Sequence, residues 1–533
     1  MRFILLLMLV LFATGARTAN FTVDTTSDLA SDDCSGGACS LRGALLAANL
    51  TAAEDSISFA IPASDAGFQP ATQHWLILVG STSLPTIEAP VVIDGYSQPG
   101  AAPNTHSPDQ GGLDGTLKIE IRPGSNAAQQ QNGLQVVGNN FAQPASRLRG
   151  LAISRFQSQI QLGGSAAHRV EGCYLGTRID GAAASMTGIT GIGNGLRVQG
   201  PGPYRVGGSL PAERNLISGV STGILLQSAS DGLRIEGNLI GTDALGTAAI
   251  PNISDGIQGA APLRNARIGG TAAARNVISA SHFSAIRLSG QGVTDFDGTL
   301  IEGNYFGTDV TGTRALGNGR NPLSPSQPQA TILIGGNVCA LGIGGSLPGQ
   351  SNLIAYGGAA GIQNDRCLGL GSPLNRFHGN RGIAFDNIFG GGAVGATAND
   401  VDDADEDGGN RLQNHPDITL PAGFLGQGGD SVALQYRVDT ATTRATYPIR
   451  VQFYRGGCGG GSSALLATDT IDAADAQQTR NFTLIAAGNV LPLVATAVDA
   501  AGNTSEFSPM LGDEVFRGDF EDQQGPPSPG ACR

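Results

Sequence analysis

Along most of the chain the apolar residues come in short runs, two or three positions at a time, often closed by Gly, Asn or Ser. Apolar residues two apart, such as Leu233 and Ile235, point to the same side of a short strand. The pattern repeats. One element reads Val170-Glu171-Gly172-Cys173-Tyr174-Leu175-Gly176-Thr177, returns as Ile235-Glu236-Gly237-Asn238-Leu239-Ile240-Gly241-Thr242-Asp243, and again as Ile301-Glu302-Gly303-Asn304-Tyr305-Phe306-Gly307-Thr308-Asp309. A second element alternates with it: Val206-Gly207-Gly208 with Arg214-Asn215-Leu216-Ile217-Ser218, Ile268-Gly269-Gly270 with Arg275-Asn276-Val277-Ile278-Ser279, and Ile343-Gly344-Gly345 with Asn352-Leu353-Ile354. A weakened copy of the first element follows at His378-Gly379-Asn380.

A repeat of this length predicts an all-β fold, a right-handed parallel β-helix over residues 85–399. Three turns of roughly 22 residues per repeat would give on the order of fourteen coils. Glycine and asparagine at the corners accept left-handed backbone angles. Like stacks over like, so the asparagines are expected to hydrogen-bond from coil to coil. A β-propeller would need four antiparallel strands per blade and frequent hairpin turns, and Asn-Gly pairs are sparse here. After residue 399 the pattern changes. An acidic stretch at 400–412 precedes Ser431 to Val438, which alternates apolar and polar as a half-buried strand does. Similar runs at Pro448 to Tyr454, Asn481 to Ile485 and Leu493 to Val498 predict an immunoglobulin-like β-sandwich over 413–511. Residues 512–533, rich in Pro, Gly and acids, are expected to be disordered.

Open solenoid ends expose strand edges and need caps. Residues 20–84 supply one. Their segment Cys39-Ser40-Leu41-Arg42-Gly43-Ala44-Leu45-Leu46-Ala47-Ala48-Asn49 resembles the CSLREA motif at the start of secreted bacterial β-helix repeat proteins. Ile57-Ser58-Phe59, the run Val92 to Gly100, Pro103-Asn104-Thr105 and the closing Asp499 to Ser508 are similar to the same family. The resemblance covers most of the chain to about Ser508 and implies a secreted β-helix protein. One position departs from it. Ser40 is placed to N-cap a short helix, and the family's glutamate three residues on would complete a capping box. Gly43 stands there instead, which predicts a helix weaker by ~1 kcal/mol.

Residues 1–19 read as a signal peptide. Arg2 precedes the apolar run Phe3 to Phe12, and small residues allow cleavage after Ala16 or Ala19. The run is too short to span a bilayer, and no later stretch of about 18 apolar residues exists. Seven cysteines fit an oxidising compartment. Cys34 and Cys39 can close a small loop, Cys339 and Cys367 can lie on adjacent coils, and Cys458 and Cys532 can tie down the tail. Cys173 is left over, in surroundings that suggest a buried thiol. A net charge of −13 argues against nucleic acid, which needs a basic stripe.

Candidate chemistry is thin. Glu171, Glu236 and Glu302 recur at one place in the repeat, where an acidic array for glycan chemistry competes with a repeated solvated corner. Gln363, Asn364, Asp365, Arg366, His378 and Asp386 fall within about one coil and could share a face. Asp403, Asp405 and Asp407, followed by Gly408, match the first half of a calcium loop, with acids at alternate positions before a sharp turn. The second half does not match: Arg411 holds the ninth position and Asn414 the twelfth. The alternative is a solvated acidic linker. The Gly-rich runs around Gly369 and Gly456 lack the context of a phosphate cradle, and Arg517-Gly518-Asp519 sits in the tail. Together these residues predict an exported surface or extracellular protein for adhesion or carbohydrate binding, with polysaccharide or a cell-surface ligand as partner. A polysaccharide lyase or glycoside hydrolase is the alternative, and no residue stands out as catalytic.

Overall fold

The computed structural model describes residues 18–512, apart from 126–130, 139–143, 187–192, 291, 293–294, 337–339, 346, 373, 389–394, 406, 421–429, 458–461 and 489. Residues 1–17 of the expected signal peptide, the expected disordered tail from 513 on, Cys339, Cys458, Cys532 and the Arg-Gly-Asp triplet therefore lie outside the described residues.

Three long sheets run along the solenoid, with ten, nine and eleven strands among the described residues. Among the described residues every strand pairing in these three sheets is parallel except the first pair of the largest sheet, Phe68–Gln69 with His74–Val79. The smallest sheet runs from Asn132–Val136 to Phe385–Ile388, and the ten-stranded one from Asn20–Val23 to Gly342–Ile343. This is the expected parallel β-helix, and it begins earlier than expected. Asn20–Val23 and Asp55–Phe59 already pair in register, so strands of the N-terminal cap belong to the solenoid's own sheet. Aliphatic residues stack inward: Ile93, Leu148, Val170, Val206, Ile235, Ile268 and Ile301 are in register and fully buried. Burying such side chains contributes about 1.5–3 kcal/mol each before the opposing chain entropy.

The coils are longer and fewer than the repeat suggested. Asn215, Asn238, Asn276, Asn304, Asn352 and Asn375 form a buried ladder, each amide donating to the next at 2.9–3.1 Å. Successive rungs are 23, 38, 28, 48 and 23 residues apart. Only Asn276 lies between Asn238 and Asn304, so one repeat makes two coils and not three. Corner loops take up the difference, because a period does not say how its residues divide between strand and loop. Cys173, a buried free thiol, sits where the other copies have asparagine, and its backbone N–H donates to Asn215 at 2.8 Å. It ends the ladder.

The loops also decide which faces are open. In the Gly-Thr-Asp corners, Asp243 accepts from the N–H groups of Thr247 and Ala248, and Asp309 from those of Thr313 and Arg314. These loops fold over the largest sheet and build a second apolar cluster outside it, with Leu113, Tyr174, Leu216, Leu239, Val277 and Val310. The outer faces of the other two sheets carry mostly polar side chains, among them Gln161, Arg197, Gln258 and Arg287 on one and Arg169, Arg205 and Arg234 on the other.

At the N-terminal end, the helix Leu41–Ala48 lies beside the first strands, and Ser40 caps it by accepting from Gly43 N–H at 3.0 Å. Gly43 is required there for a reason the sequence hides. A Cβ on it would stand 2.0 Å from the Asp32 carbonyl oxygen, so the family's glutamate has no room. Cys34 and Cys39 form the expected disulfide. Cys367 is also disulfide-bonded, to a partner outside the described residues.

The C-terminal domain is a sandwich of two three-stranded antiparallel sheets. Asp417–Thr419, Ser431–Arg437 and Arg480–Ile485 make one, and Ser462–Ile471, Ile449–Gly456 and Leu493–Val498 the other. Val432, Leu434, Tyr436, Val451, Phe453 and Leu484 fill the core between them. The segment at 400–412, expected as a linker, is a packed joint. Asn410 is fully buried and bonds Leu370 and Thr504 from the two sides. Asn503 accepts from Gly369 N–H at 2.9 Å, Glu506 accepts from Asn387 N–H at 2.9 Å, and Phe507 packs edge-on against Phe377. The sandwich thereby covers the end of the solenoid.

Candidate functional site

Two kinds of position meet the chemistry expected of this chain: the open sheet faces and the joint. On the nine-stranded sheet, alternation sends every second side chain outward. Gln135, Gln161, Arg197, Leu225, Gln258, Arg287, Leu333, Gln363 and Asp386 form one outward row in register. Midway along it lies a groove of about 560 Å³, bordered by Gln199, Leu225, Gln227, Ser228, Gln258 and Ala260. Gln199 donates to Gln227 at 2.9 Å, and Asn132 to Gln161 at 2.8 Å. Arg287 pairs with buried Asp255 at 3.2 Å, where burial raises the carboxyl above its usual range and the guanidinium opposes the rise. The face thus offers amide donors and acceptors beside small apolar patches, which suits hydroxyl-rich ligands.

The polar group near the last coils does not assemble. Gln363 and Asp386 are neighbours in register, 3.4 Å apart, on this face. Asn364 points inward and ladders to Asn387 at 2.9 Å. His378 lies in a different sheet, against the edge of Tyr356. A spacing within one coil does not place residues on one side of a three-sided solenoid.

The recurring glutamates are not solvated corners. Glu171, Glu236 and Glu302 end strands of the ten-stranded sheet. Glu171 and Glu302 are buried, and Glu236 is largely so. Each pairs with an arginine: Glu171 with Arg147, Glu236 with Arg205 at 3.2 Å, and Glu302 with Arg267 at 3.1 Å. Burial raises the Glu302 carboxyl, and Arg267 works against that.

At the joint the acids do converge, with a different third member. Carboxylate oxygens of Asp400, Asp403 and Asp405 all lie within 4.8 Å of one another, and Asp407 is not in the group. Asp403 is buried and accepts from Asn414 N–H at 3.0 Å and from the Gln413 and Thr440 side chains at 2.9 Å each. Burial pushes its carboxyl up to about 7, and Asp400 and Asp405 add to the shift by like charge. Asn414, at the expected twelfth position, points its amide at the Asp400 and Asp439 carbonyls instead. Asn410, Arg411 and Leu412 all have positive φ, which takes the chain off the course of a regular calcium loop. The donor set is nonetheless one of hard oxygens, and Asp400 Oδ1 is buried without a hydrogen-bond partner. Sequence reading missed Asp400 because it precedes the alternating acids; a turn folds it back, its Oδ2 accepting from Ala404 and Asp405 N–H.

These features define a class: a parallel β-helix protein closed at its C-terminal end by an immunoglobulin-like sandwich. No family model matches the chain, and no curated protein does. Among solved structures it is similar to the Dettilon tailspike protein gp208, at 11% identity and a TM-score of 0.31, over 85% of this chain and 76% of that one. It is also similar to ORF18 of Geobacillus virus E2, at 12% identity and a TM-score of 0.24, over 86% of this chain and 69% of that one. At such values the fold assignment rests on the parallel sheets themselves. Among the described residues, no helix is long and apolar enough to cross a membrane.

Proposed function

We propose that this chain is an exported surface or extracellular protein of the CSLREA type, which binds polysaccharide along the glutamine-bearing face of its solenoid. The observation that carries this reading is the groove between Gln199, Gln227 and Gln258, set in an outward row in which glutamine and arginine side chains alternate with Leu225 and Leu333. Sugar hydroxyls both donate and accept, and glutamine amides match them without a charge to desolvate. The long solenoid holds the row rigid, and the sandwich closes its end. The acids at Asp400, Asp403 and Asp405 take calcium in this reading, which stiffens the joint. Calorimetric titration with a panel of neutral oligosaccharides tests the binding face. Saturable binding to one of them, weakened tenfold or more by Gln227→Ala with Gln258→Ala, is expected. No binding across the panel, or unchanged affinity in the double variant, would refute the assignment. New reducing ends or unsaturated uronate products in the same incubations would favour the lyase or hydrolase alternative.

A further inference from the structure

The ten-stranded sheet carries a second row that the glutamine face does not explain. Arg147, Arg169, Arg205, Arg234 and Arg267 occupy the same outward position on five successive coils. Four strand spacings of ~4.8 Å make this column ~19 Å long. Like charges directly opposite one another on neighbouring strands are destabilising, and the protein is acidic overall at −13. The column is therefore no by-product of composition.

Its counter-charges stand beside it, at the next outward position of the strands. The side chains of Arg147, Arg169, Arg205 and Arg267 are 29–48% exposed, whereas Glu171, Glu236 and Glu302, which pair with them, are 1–13% exposed. These carboxylates thus neutralise and orient the guanidinium groups from one side, while part of each arginine side chain stays exposed. Arg234 has no carboxylate within ion-pairing distance among the described residues; its Nη1 donates to the Gly232, Leu233 and Asn265 carbonyls, which anchor the group. A row of anchored guanidinium groups is matched to a row of planar or tetrahedral oxyanions, which each fork can bind through two hydrogen bonds.

We infer that this arginine column is a binding track for an extended anionic polysaccharide, one bearing a carboxylate or sulfate ester on successive sugars. The site is separate from the glutamine face, and the inference stands if that face binds nothing.

Arg169→Gln with Arg234→Gln tests it, because both leave every buried glutamate its own arginine: Glu171 keeps Arg147, Glu236 keeps Arg205, and Glu302 keeps Arg267. Affinities of the whole protein are measured for four probes: an oligogalacturonate, a dextran sulfate oligomer, neutral dextran, and single-stranded DNA of equal charge. The expected result is tight binding to the oligogalacturonate or the dextran sulfate, which says whether carboxylate or sulfate is recognised. That affinity falls as salt rises, drops tenfold or more in the double variant, and is untouched by Gln227→Ala with Gln258→Ala. Failure of both acidic glycans to bind at low salt overturns the inference, as does equal binding by the variant or equal affinity for DNA. Should the glutamine variant lose its fold, Arg169→Lys with Arg234→Lys replaces it. A threefold or greater loss then supports the track, and unchanged affinity overturns it.

Discussion

Asn276→Ala removes the central rung of the asparagine ladder, and the structure says what is left behind. The Asn276 side chain accepts from Asn238 N–H at 2.9 Å and from the Asn238 amide at 3.0 Å. It donates to the Ile235 carbonyl at 2.8 Å and to Asn304 at 2.9 Å. Two of these partners have compensation. The Asn238 amide still reaches the Val206 and Glu236 carbonyls, and Asn304 still accepts from Asn276 N–H. Of the other two, the Ile235 carbonyl keeps its place in the parallel ladder with the next coil, and Asn238 N–H loses its partner in a site with no solvent access at residue 276. At about 1–3 kcal/mol for a buried group left unsatisfied, the substitution costs roughly that much. Reversible urea unfolding followed by circular dichroism reads this as a lower midpoint, and amide exchange at Asn238 should accelerate more than at distant coils. Gln199→Ala, which breaks one bond on the surface, serves as the control and should change stability by less than about 0.5 kcal/mol. An equally small effect at Asn276 would mean that the ladder adds no stability and that packing alone holds the coils in register.

Cys173→Asn extends the ladder by one rung towards Asn215, so its urea midpoint should rise by the equivalent of about 1 kcal/mol; a fall would show that the pocket cannot hold the larger side chain. Gly43→Glu, the residue that the CSLREA resemblance would restore, should destabilise by about 1–3 kcal/mol, because the new Cβ meets the Asp32 carbonyl, and thermal unfolding would show it. Calcium should slow proteolysis at 400–412. Asp400→Asn or Asp405→Asn should abolish that protection and Asp407→Asn should spare it, whereas sensitivity to Asp407 would restore the loop register read from the sequence. Burial pushes the Glu506 carboxyl up to about 7 from its ordinary 4.5. The folded state then holds a proton that the unfolded state releases, so this contribution is complete below about pH 4.5 and lost as pH rises towards 7. Exchange at Asn387 N–H should quicken from pH 5 to pH 8 beyond the intrinsic rate, and Glu506→Gln should remove that excess.

Much of this architecture was legible in the amino-acid order. Repeated Ile-Glu-Gly-Asn and Arg-Asn-Leu-Ile elements forced a solenoid, since only stacked coils bring like residues over like, and the asparagine ladder and the buried Cys173 follow from that stacking. The alternating strands after residue 430 were equally plain. What the order of residues could not express was the division of each repeat. Corner loops such as Asp243 to Ala248 absorb residues without adding strands, so two coils fill the length assigned to three. Nor could it say which of three faces a residue occupies, and that separates His378 from Asp386 and sets Arg234 in line with Arg169. The role of Glu171 was hidden for the same reason. A glutamate beside a glycine looks like a solvated corner until the preceding coil lays an arginine across it. Asp400 joins Asp403 and Asp405 only because a tight turn folds back on itself, and Gly43 is needed only because the Asp32 carbonyl arrives from another loop. Periodicity is a local property and travels with the sequence. Burial, pairing and face depend on what the neighbouring coil brings, and only the folded chain decides them.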